Sequence, residues 1–400
     1  MIGRGLTAFA AVGAVLWAAA GDPAPPGSPA GEGPSTPASS PAPEERERGP
    51  RAPSGADGVC WVGSADPDGL ASLAGSGVRW ISVSPFAYGQ SDPHRPPEGG
   101  FRASRFRGES LEGIRAVVRA AHSAGLRVLV KPHIWLHGAG AWRGDIAMRS
   151  DADWDTWFAA YEAFLAPFVE LAREESVAAL CIGCELGGTV EREARWRALL
   201  ERVRGRYDGS ITYAANWHGE VESVPFWDAL DWIGVQAYFP LTETPTPTEQ
   251  DLRAGWEPWK RMLEALSRRH GRTVVLTEVG YRPETDNGRE PWRWHLEGPL
   301  DPDAQARAFR ALFAAFEEAP WLEGIQVWKW FAHTPAGERP RRQAHDGFSP
   351  QGLPAEAVIL EAFRMREAAR ARDGESSDPS LRGETDHDTE PQMDRTVRDE

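Results

Sequence analysis

The sequence predicts an α/β fold, a single (β/α)8 TIM barrel, over residues 58–368. Two observations carry this prediction: eight short β-rich apolar segments alternate with eight segments of helical period, and the length beyond a minimal barrel falls in the loops 85–108 and 279–300. An open, doubly wound sheet is the alternative. Its glycine-rich phosphate-binding turn is absent after the first strand, where the chain reads Gly63-Ser64-Ala65-Asp66, so the barrel is favoured.

The predicted strands are short runs of apolar and β-branched residues, and each is followed by an amphipathic segment. The strands cover residues 59–63, 78–84, 127–135, 178–185, 211–217, 232–238, 273–278 and 324–331. The helices cover residues 67–75, 109–124, 153–175, 191–207, 223–230, 248–270, 302–318 and 354–368. Capping residues precede several helices, as Asp66 does, and Gly125 and Gly271 follow two of them. Because a helix follows each strand, the carboxyl ends of all eight strands meet at one rim.

Both ends of the chain differ from this pattern. Residues 1–20 have the composition of a signal peptide, with Arg4 before an apolar stretch and three alanines before Gly21, and an uncleaved membrane anchor is the alternative. Residues 21–57 hold ten of the 33 prolines and predict a disordered linker. Residues 369–400 predict an acidic disordered tail. We therefore expect an exported protein, either secreted or located in the cell envelope.

Composition and charge narrow the class of ligand. Apolar residues make up 41% and charged residues 26%, which is typical of a folded globular chain. The net charge of −15 and the lack of a basic run interleaved with aromatic residues argue against a nucleic-acid partner. An uncharged ligand such as a polysaccharide or oligosaccharide fits better.

The cysteines predict neither a disulfide framework nor a metal site. The chain has three, Cys60, Cys181 and Cys184. The spacing Cys181-x-x-Cys184 could suggest zinc, but no second pair follows, so unligated thiols are favoured. We expect no cofactor and no metal.

Polar and aromatic residues collect where the predicted strands end. In a TIM barrel the catalytic groups lie at these carboxyl ends. The strand-end residues are Ser82, Ser84, Phe86, Lys131, His133, Trp135, Cys184, Glu185, Asn216, Trp217, His218, Gln236, Tyr238, Thr277, Glu278, Trp328, Lys329 and Trp330. Two of the three lysines in the chain are among them.

Two of these residues, Glu185 and Glu278, predict glycoside hydrolysis. That reaction needs one carboxyl group to protonate the leaving oxygen and a second to attack or stabilise the anomeric carbon. A single strand-end glutamate is more often a helix cap or an ion-pair partner of arginine. Two of them on strands four and seven, together with Tyr238 on strand six, favour catalysis.

The aromatic residues at the rim predict sugar binding. The chain has 18 tryptophans against six tyrosines, and sugar rings stack on indole faces. Trp135, Trp217, Trp328 and Trp330 are the candidates, with core packing as the alternative for each. Of the two on strand eight, we expect Trp330, nearer the rim, to be the platform and Trp328 to pack inside the barrel.

The remaining polar candidates predict contacts to sugar hydroxyl groups. His133 and His218 lack a third ligand at zinc spacing, so hydrogen bonding to hydroxyls is favoured over a metal site. Asn216, Lys131 and Lys329 complete the predicted substrate-binding set.

Three motifs resemble glycoside hydrolase family 113, the β-1,4-mannanases of the retaining clan A barrels. They are Cys181-Ile-Gly-Cys-Glu185-Leu, Thr277-Glu278-Val-Gly-Tyr281 and Val327-Trp-Lys-Trp330, and the resemblance spans about residues 58–363. It implies that Glu185 is the acid/base, Glu278 the nucleophile, Tyr238 the hydrogen-bond partner of the nucleophile, and a strand-eight tryptophan the floor of the −1 subsite. Much of the clan has Asn where this chain has Cys184.

The resemblance therefore predicts a retaining glycoside hydrolase, with mannan or glucomannan as the expected substrate. Retaining chemistry requires carboxyl groups about 5–5.5 Å apart. A non-catalytic carbohydrate-binding or structural barrel is the alternative, because fold alone does not imply activity.

Overall fold

The structure, a computed structural model, describes residues 55–137, 142–293, 298–334, 337 and 347–376. The predicted signal peptide, nearly all of the predicted linker and most of the predicted acidic tail lie outside these residues. The folded body begins before residue 58, because Ala56 and Asp57 are buried.

The described residues form eleven strands, labelled in chain order. They are β1 Gly58–Val62, β2 Trp80–Val83, β3 Phe86–Gly89, β4 Arg102–Ala103, β5 Arg127–Val130, β6 His133–Leu136, β7 Ala179–Cys184, β8 Ser210–Asn216, β9 Trp232–Gln236, β10 Thr273–Val279 and β11 Leu322–Phe331. Eight of them close into a parallel barrel in the order β1-β11-β10-β9-β8-β7-β5-β2. This confirms the (β/α)8 fold and excludes the open sheet.

The α-helices of the described residues follow the predicted alternation. They are α1 Pro67–Gly75, α2 Leu111–Ser123, α3 Asp151–Glu174, α4 Glu193–Arg204, α5 Glu220–Ser223, α6 Glu249–His270, α7 Pro302–Ala315 and α8 Pro354–Ser376. Side-chain caps fix several starts, and Thr248 with Asp251 forms a full capping box at α6.

Two helix predictions were wrong in their bounds. The segment 223–230 contains the end of α5 and a 3-10 turn instead of one helix. Helix α8 continues past residue 368 into the predicted tail. Arg370 on this extension pairs with buried Asp57, and this tertiary contact is invisible in the local composition.

The third predicted strand, 127–135, was also wrong: it is two strands. Residues of β5 belong to the barrel, whereas β6 joins β3 and β4 in a separate three-stranded sheet. The break falls at Pro132, which has no N–H group to donate to a neighbouring strand. His133 and Trp135 therefore lie on a small sheet that continues from the carboxyl end of β5.

An apolar layer fills the lower part of the barrel interior. Trp80 and Trp232 pack edge to face there, with 5.7 Å between ring centroids. The other members of the layer are Ala56, Leu129, Ala179, Cys181, Cys184, Ala214 and Val275. Towards the carboxyl ends of the strands the buried residues become polar, and Gln236 accepts hydrogen bonds from Lys131 and Thr277. A ligand that enters at the carboxyl ends of the strands therefore meets polar groups.

A charged cluster ties the first strand to the last helix at the opposite end. Asp57 Oδ2 lies 2.8 Å from Arg366 Nε and 2.7 Å from Arg370 Nη1. Its other oxygen accepts a hydrogen bond from Ile325 N at 2.9 Å. Among the described residues, no helix is both long enough and apolar enough to cross a membrane.

Candidate active site

Each of the two predicted catalytic glutamates lies next to a register shift at a strand end. Along β7 and β8, Cys181 pairs with Thr212 and Cys184 with Ala214, so β7 has one extra residue just before Glu185. Along β10 and β9 the shift falls between residues 276 and 278. A bulge of this kind bends a strand and re-aims the side chains that follow. Both glutamates therefore lie at a local bend of their strand.

Glu278 is surrounded by groups from neighbouring strands. Its Oε1 forms an ion pair with Lys131 Nζ, and the Tyr238 hydroxyl donates to its Oε2 at 3.0 Å. Lys131 is fully buried and also donates to Thr277 O at 3.2 Å. Burial is the largest single influence and lowers the pKa of Lys131, but the Glu278 carboxylate and the smaller contributions of Cys60 and Cys184 together raise it overall. Lys131 is therefore a permanent cation beside Glu278.

His133 lies on the same side of the site. Its Nε2 is 3.8 Å from Glu278 Oε1. Burial, followed by the charges of Lys131 and Arg143, holds the pKa of His133 well below its usual range. The ring is therefore neutral at physiological pH, and it presents one N–H donor and one acceptor.

Glu185 takes its partners from loops and strand ends. Asn216 Nδ2 donates to Glu185 Oε1 at 2.7 Å, and the Arg143 guanidinium pairs with Oε2. Arg143 belongs to a 3-10 turn, Arg143–Asp145, and its guanidinium lies 4.5 Å from the centroid of the Trp135 ring. Burial lowers the pKa of Arg143, but Glu185 and then more distant acidic groups raise it overall, so this cation is also permanent.

Tyr238 links the two carboxylates electrostatically. Burial raises its pKa most, the Glu278 carboxylate adds to that, and Glu185 contributes as well. Tyr238 therefore lies within the electrostatic field of both glutamates, and the phenol stays protonated and able to donate. The two carboxylates belong to one site.

The structure exchanges the expected positions of the two strand-eight tryptophans. Trp328 clusters with Cys60, Phe348 and Tyr238, and its ring centroid is 5.9 Å from Lys131 Nζ. Trp330 instead packs in the apolar layer between strands and helices, because it pairs with Trp61 on the outward side of β1. Of the two tryptophans, Trp328 and not Trp330 therefore lies beside Tyr238 and Lys131.

The other predicted residues lie at varying distances from the glutamates. Lys329 Nζ is 4.9 Å from the Trp328 ring centroid, and the two residues are joined by a cis peptide bond. Trp217 stacks on Trp292, with 5.1 Å between centroids, and meets Phe239 edge to face. His218 is exposed, and its backbone N–H donates to Asn216 Oδ1.

The described part of the chain holds no cluster of three or more His, Cys, Asp or Glu side chains that could bind a metal ion. Cys60, Cys181 and Cys184 are buried and form no disulfide there.

The sequence analysis missed three residues near Glu185: Arg143, Tyr213 and Glu220. None of them belongs to a motif, and Arg143 follows a loop rather than a strand.

Paired glutamates at the carboxyl ends of parallel barrel strands define the class of TIM-barrel glycoside hydrolases. The family model of Glycoside Hydrolase Family 113 matches residues 57–352. The chain belongs to this family and is a glycoside hydrolase, with a carbohydrate as its substrate.

Solved structures of other glycoside hydrolases share this fold. The chain is similar to the GH113 beta-mannanase of Alicyclobacillus acidocaldarius, with 28% identity, a TM-score of 0.65, and coverage of 76% of this chain and 96% of that one. A second GH113 beta-1,4-mannanase shares the fold at 22% identity and TM-score 0.65, covering 77% and 97%. A beta-glucuronidase of Faecalibacterium prausnitzii shares the fold at 12% identity and TM-score 0.51, covering 78% of this chain and 49% of that one. No curated protein sequence matches significantly.

Proposed function

We propose that this protein is a retaining β-mannanase that cleaves β-1,4-mannan or glucomannan by double displacement, with Glu278 as nucleophile and Glu185 as acid/base. The observation that carries the assignment is the hydrogen bond from the Tyr238 hydroxyl to Glu278 Oε2, beside the Lys131 ion pair at Oε1. These two donors hold the Glu278 carboxyl group in place beside a positive charge, as a nucleophile requires.

In the first step, a Glu278 oxygen attacks the anomeric carbon while the glycosidic carbon–oxygen bond breaks. The proton of Glu185 passes to the departing oxygen, which leaves as a sugar hydroxyl group. A glycosyl ester on Glu278 results, and Glu185 is ionised beside the Arg143 guanidinium.

In the second step, water attacks the same anomeric carbon and gives a proton to Glu185. The ester bond to Glu278 breaks, and the carboxylate returns to its Lys131 partner. Two inversions give net retention of the anomeric configuration.

The surroundings of Glu278 also support sugar binding at the reacting position. The indole of Trp328 offers an apolar face next to Tyr238, and the neutral His133 ring offers hydrogen-bonding groups 3.8 Å from Glu278. Mannan is favoured over other β-glycans because of the family and the similarity to β-mannanases.

The substrate is tested by assaying the full chain on mannan, glucomannan, xylan, cellulose and β-1,3-glucan, with reducing ends and product lengths as readouts. We expect turnover on the first two. NMR of the first product formed should show the retained anomer. An inverted first product would contradict double displacement, and binding without turnover on every glycan would favour the non-catalytic alternative.

The two roles are tested with Glu278→Gln and Glu185→Ala. The first should lose activity on every substrate, since no carboxylate remains to form the glycosyl ester. The second should keep activity on aryl glycosides with good leaving groups, and azide should rescue it. Glu243→Gln, at an exposed surface glutamate, is the control and should match the wild type. Equal losses without azide rescue would mean that the roles are misassigned.

Export is a further part of this proposal, because polymeric mannan is met outside the cell. It rests on the composition of residues 1–20. Fractionation of the native host with amino-terminal sequencing tests it: mature protein beginning near Gly21 outside the cytoplasm is expected, and an intact amino terminus in the cytoplasm would contradict it.

A further inference from the structure

A closed ring of hydrogen bonds surrounds Glu185. Leu186 N donates to the Tyr213 hydroxyl at 2.9 Å, and that hydroxyl donates to Glu220 Oε1. Glu220 Oε2 accepts from Asn216 N at 2.8 Å, and Asn216 Nδ2 donates to Glu185 Oε1 at 2.7 Å. The peptide bond between Glu185 and Leu186 closes the ring. Both the backbone and the carboxyl group of Glu185 are therefore tied to Glu220.

The buried part of this ring is held tightly by packing. Tyr213 is fully buried, and Glu220 is buried with it. The Tyr213 ring lies against the backbone of Gly183, where an added Cβ would stand 2.5 Å from Tyr213 Cε2. On other sides it meets the rings of Trp196 and Phe226, at 5.4 and 5.8 Å between centroids. The hydroxyl group is therefore a fixed point.

The Tyr213 hydroxyl group helps to hold an unusual backbone conformation at Glu185. Glu185 has a φ of 52°, in the left-handed region that a residue with a side chain rarely adopts. Such a conformation persists only where surrounding contacts impose it. The hydrogen bond from Leu186 N to Tyr213 acts on the peptide that follows Glu185, and Glu185 N itself donates to Ala214 O at 2.9 Å.

We propose that Tyr213 and Glu220 are positioning residues for the acid/base Glu185, acting through Leu186 N and Asn216 without touching substrate. The inference rests on the proposed function of Glu185. Loss of either the Tyr213 or the Glu220 side chain would let the Glu185 carboxyl group move away from the leaving oxygen. Glu278 and its partners would stay in place.

The charge state of Glu220 suits this role. Burial raises the pKa of Glu220 to about 8, against the hydrogen bonds from Tyr213 and Asn216 N, which lower it. Its neutral form adds no negative charge beside Glu185 near neutral pH. The charged and titratable groups facing it are Glu185, Arg143 and Tyr213.

The test compares leaving groups in the full-length protein. The variants are Tyr213→Phe, Glu220→Ala and Glu220→Gln, with Glu185→Ala as the reference and Tyr207→Phe as the matched control. Tyr207 is also buried, and its hydroxyl donates one hydrogen bond, to Val177 O at 2.7 Å. It lies where the strands begin, far from the glutamates. The readouts are kcat/KM on mannooligosaccharide, kcat/KM on dinitrophenyl β-mannoside, and the melting temperature.

We expect Tyr213→Phe and Glu220→Ala to lose about 10- to 100-fold in kcat/KM on the oligosaccharide, a part of what general acid catalysis supplies. On the aryl mannoside, whose leaving group needs little protonation, the loss should stay within about threefold, as for Glu185→Ala. Glu220→Gln keeps an oxygen acceptor and should recover part of the activity lost in Glu220→Ala. Tyr207→Phe should change kcat/KM on the two substrates by the same factor.

Equal losses on both substrates, following the melting temperature, would overturn the inference in favour of a purely structural role. Unchanged kinetics in Tyr213→Phe and Glu220→Ala would overturn it as well. Tyr213→Phe removes one oxygen atom and keeps the ring, so it decides the question if Glu220→Ala does not fold. If Glu185→Ala itself shows no dependence on the leaving group, the proposed function of Glu185 is wrong. If Glu185→Ala shows that dependence but the Tyr213 and Glu220 variants do not, only the positioning role is wrong.

Discussion

The two glutamates at the barrel mouth are held by different parts of the molecule. Glu278 is part of β10, and its cation Lys131 directly follows β5 and bonds to Gln236 on β9. Glu185 lies just beyond β7, and its cation Arg143 comes from a 3-10 turn in the loop after β6. The Glu278 side is therefore held by the barrel, whereas the Glu185 side depends on a loop for its cation, although Asn216 on β8 also bonds to Glu185.

The largest effect should follow from breaking the barrel-held side. Lys131→Met leaves Glu278 buried without its cation, and removing one partner of a buried ion pair typically costs about 3–5 kcal/mol. We expect that loss in the free energy of unfolding, measured with denaturant, together with near-complete loss of kcat. Lys260→Met on α6 is the control and should change neither. A fully active Lys131→Met variant would show that Glu278 does not depend on this cation.

The next effect separates the two tryptophans of β11. Trp330→Ala empties a site between the strands and helices and should lower the free energy of unfolding by about 3–5 kcal/mol, with kcat of the folded fraction unchanged. Trp328→Ala should lower kcat more than it raises KM, since stacking on the reacting sugar acts mainly in the transition state. Melting curves and steady-state kinetics on both variants check this. A stable, inactive Trp330→Ala would restore the platform role to Trp330.

A smaller loss of stability is expected on the loop-held side. Arg143→Ala removes the cation of Glu185, but the carboxylate keeps its hydrogen bond from Asn216, and this pair is more exposed (7% and 10%) than the Lys131 and Glu278 side chains (0% and 6%), so water can replace the guanidinium more readily. We expect a loss of about 1–3 kcal/mol in the free energy of unfolding. The same denaturant titration used for Lys131→Met measures it. A loss as large as that of Lys131→Met would remove the difference between the two sides.

The last expected effect appears only when two pH values are compared, as a change in how stability depends on pH. The pKa of Glu220, raised by burial to about 8, lies above that of an unfolded chain, so the folded protein holds its proton between about pH 4.3 and 8 while the unfolded chain loses it. Stability from this group is present at low pH and lost as the pH rises through that window. Glu220→Gln should therefore gain on the wild type by about 2–4 kcal/mol between pH 5 and pH 9, since one pKa unit corresponds to about 1.4 kcal/mol. Chemical denaturation at both pH values measures the difference, and parallel curves would contradict it.

Local sequence pattern predicted the barrel well, since each strand and helix has its own periodicity. It failed where a distant contact or a single backbone group decided the outcome. Pro132 ended a strand that composition alone continues, and Arg370 drew α8 onward through its pairing with Asp57. These are effects of tertiary structure, and no window of neighbouring residues contains them.

The candidate site divides in the same way. Glu185, Glu278 and Tyr238 lie at strand ends, so their placement at one rim was predictable from topology. Arg143 and Glu220 were not, because they belong to short elements whose position depends on loop paths. The choice between Trp328 and Trp330 required the pairing of Trp330 with Trp61 across β1 and β11, which the sequence does not contain.

The cluster around Asp57 brings the beginning of the described chain next to the last helix, at the floor of the barrel. The catalytic mouth opens at the other end of the same strands. A support, tag or partner domain joined directly to the first described residues, before Ala56, would consequently hold the body by its floor and leave the mouth facing a polymer. Because Asp57 and Arg370 lie next to each other, the described body, without the segments outside residues 55–376, is suited to circular permutation, with residue 55 linked to the end of α8 and new ends opened in a surface loop.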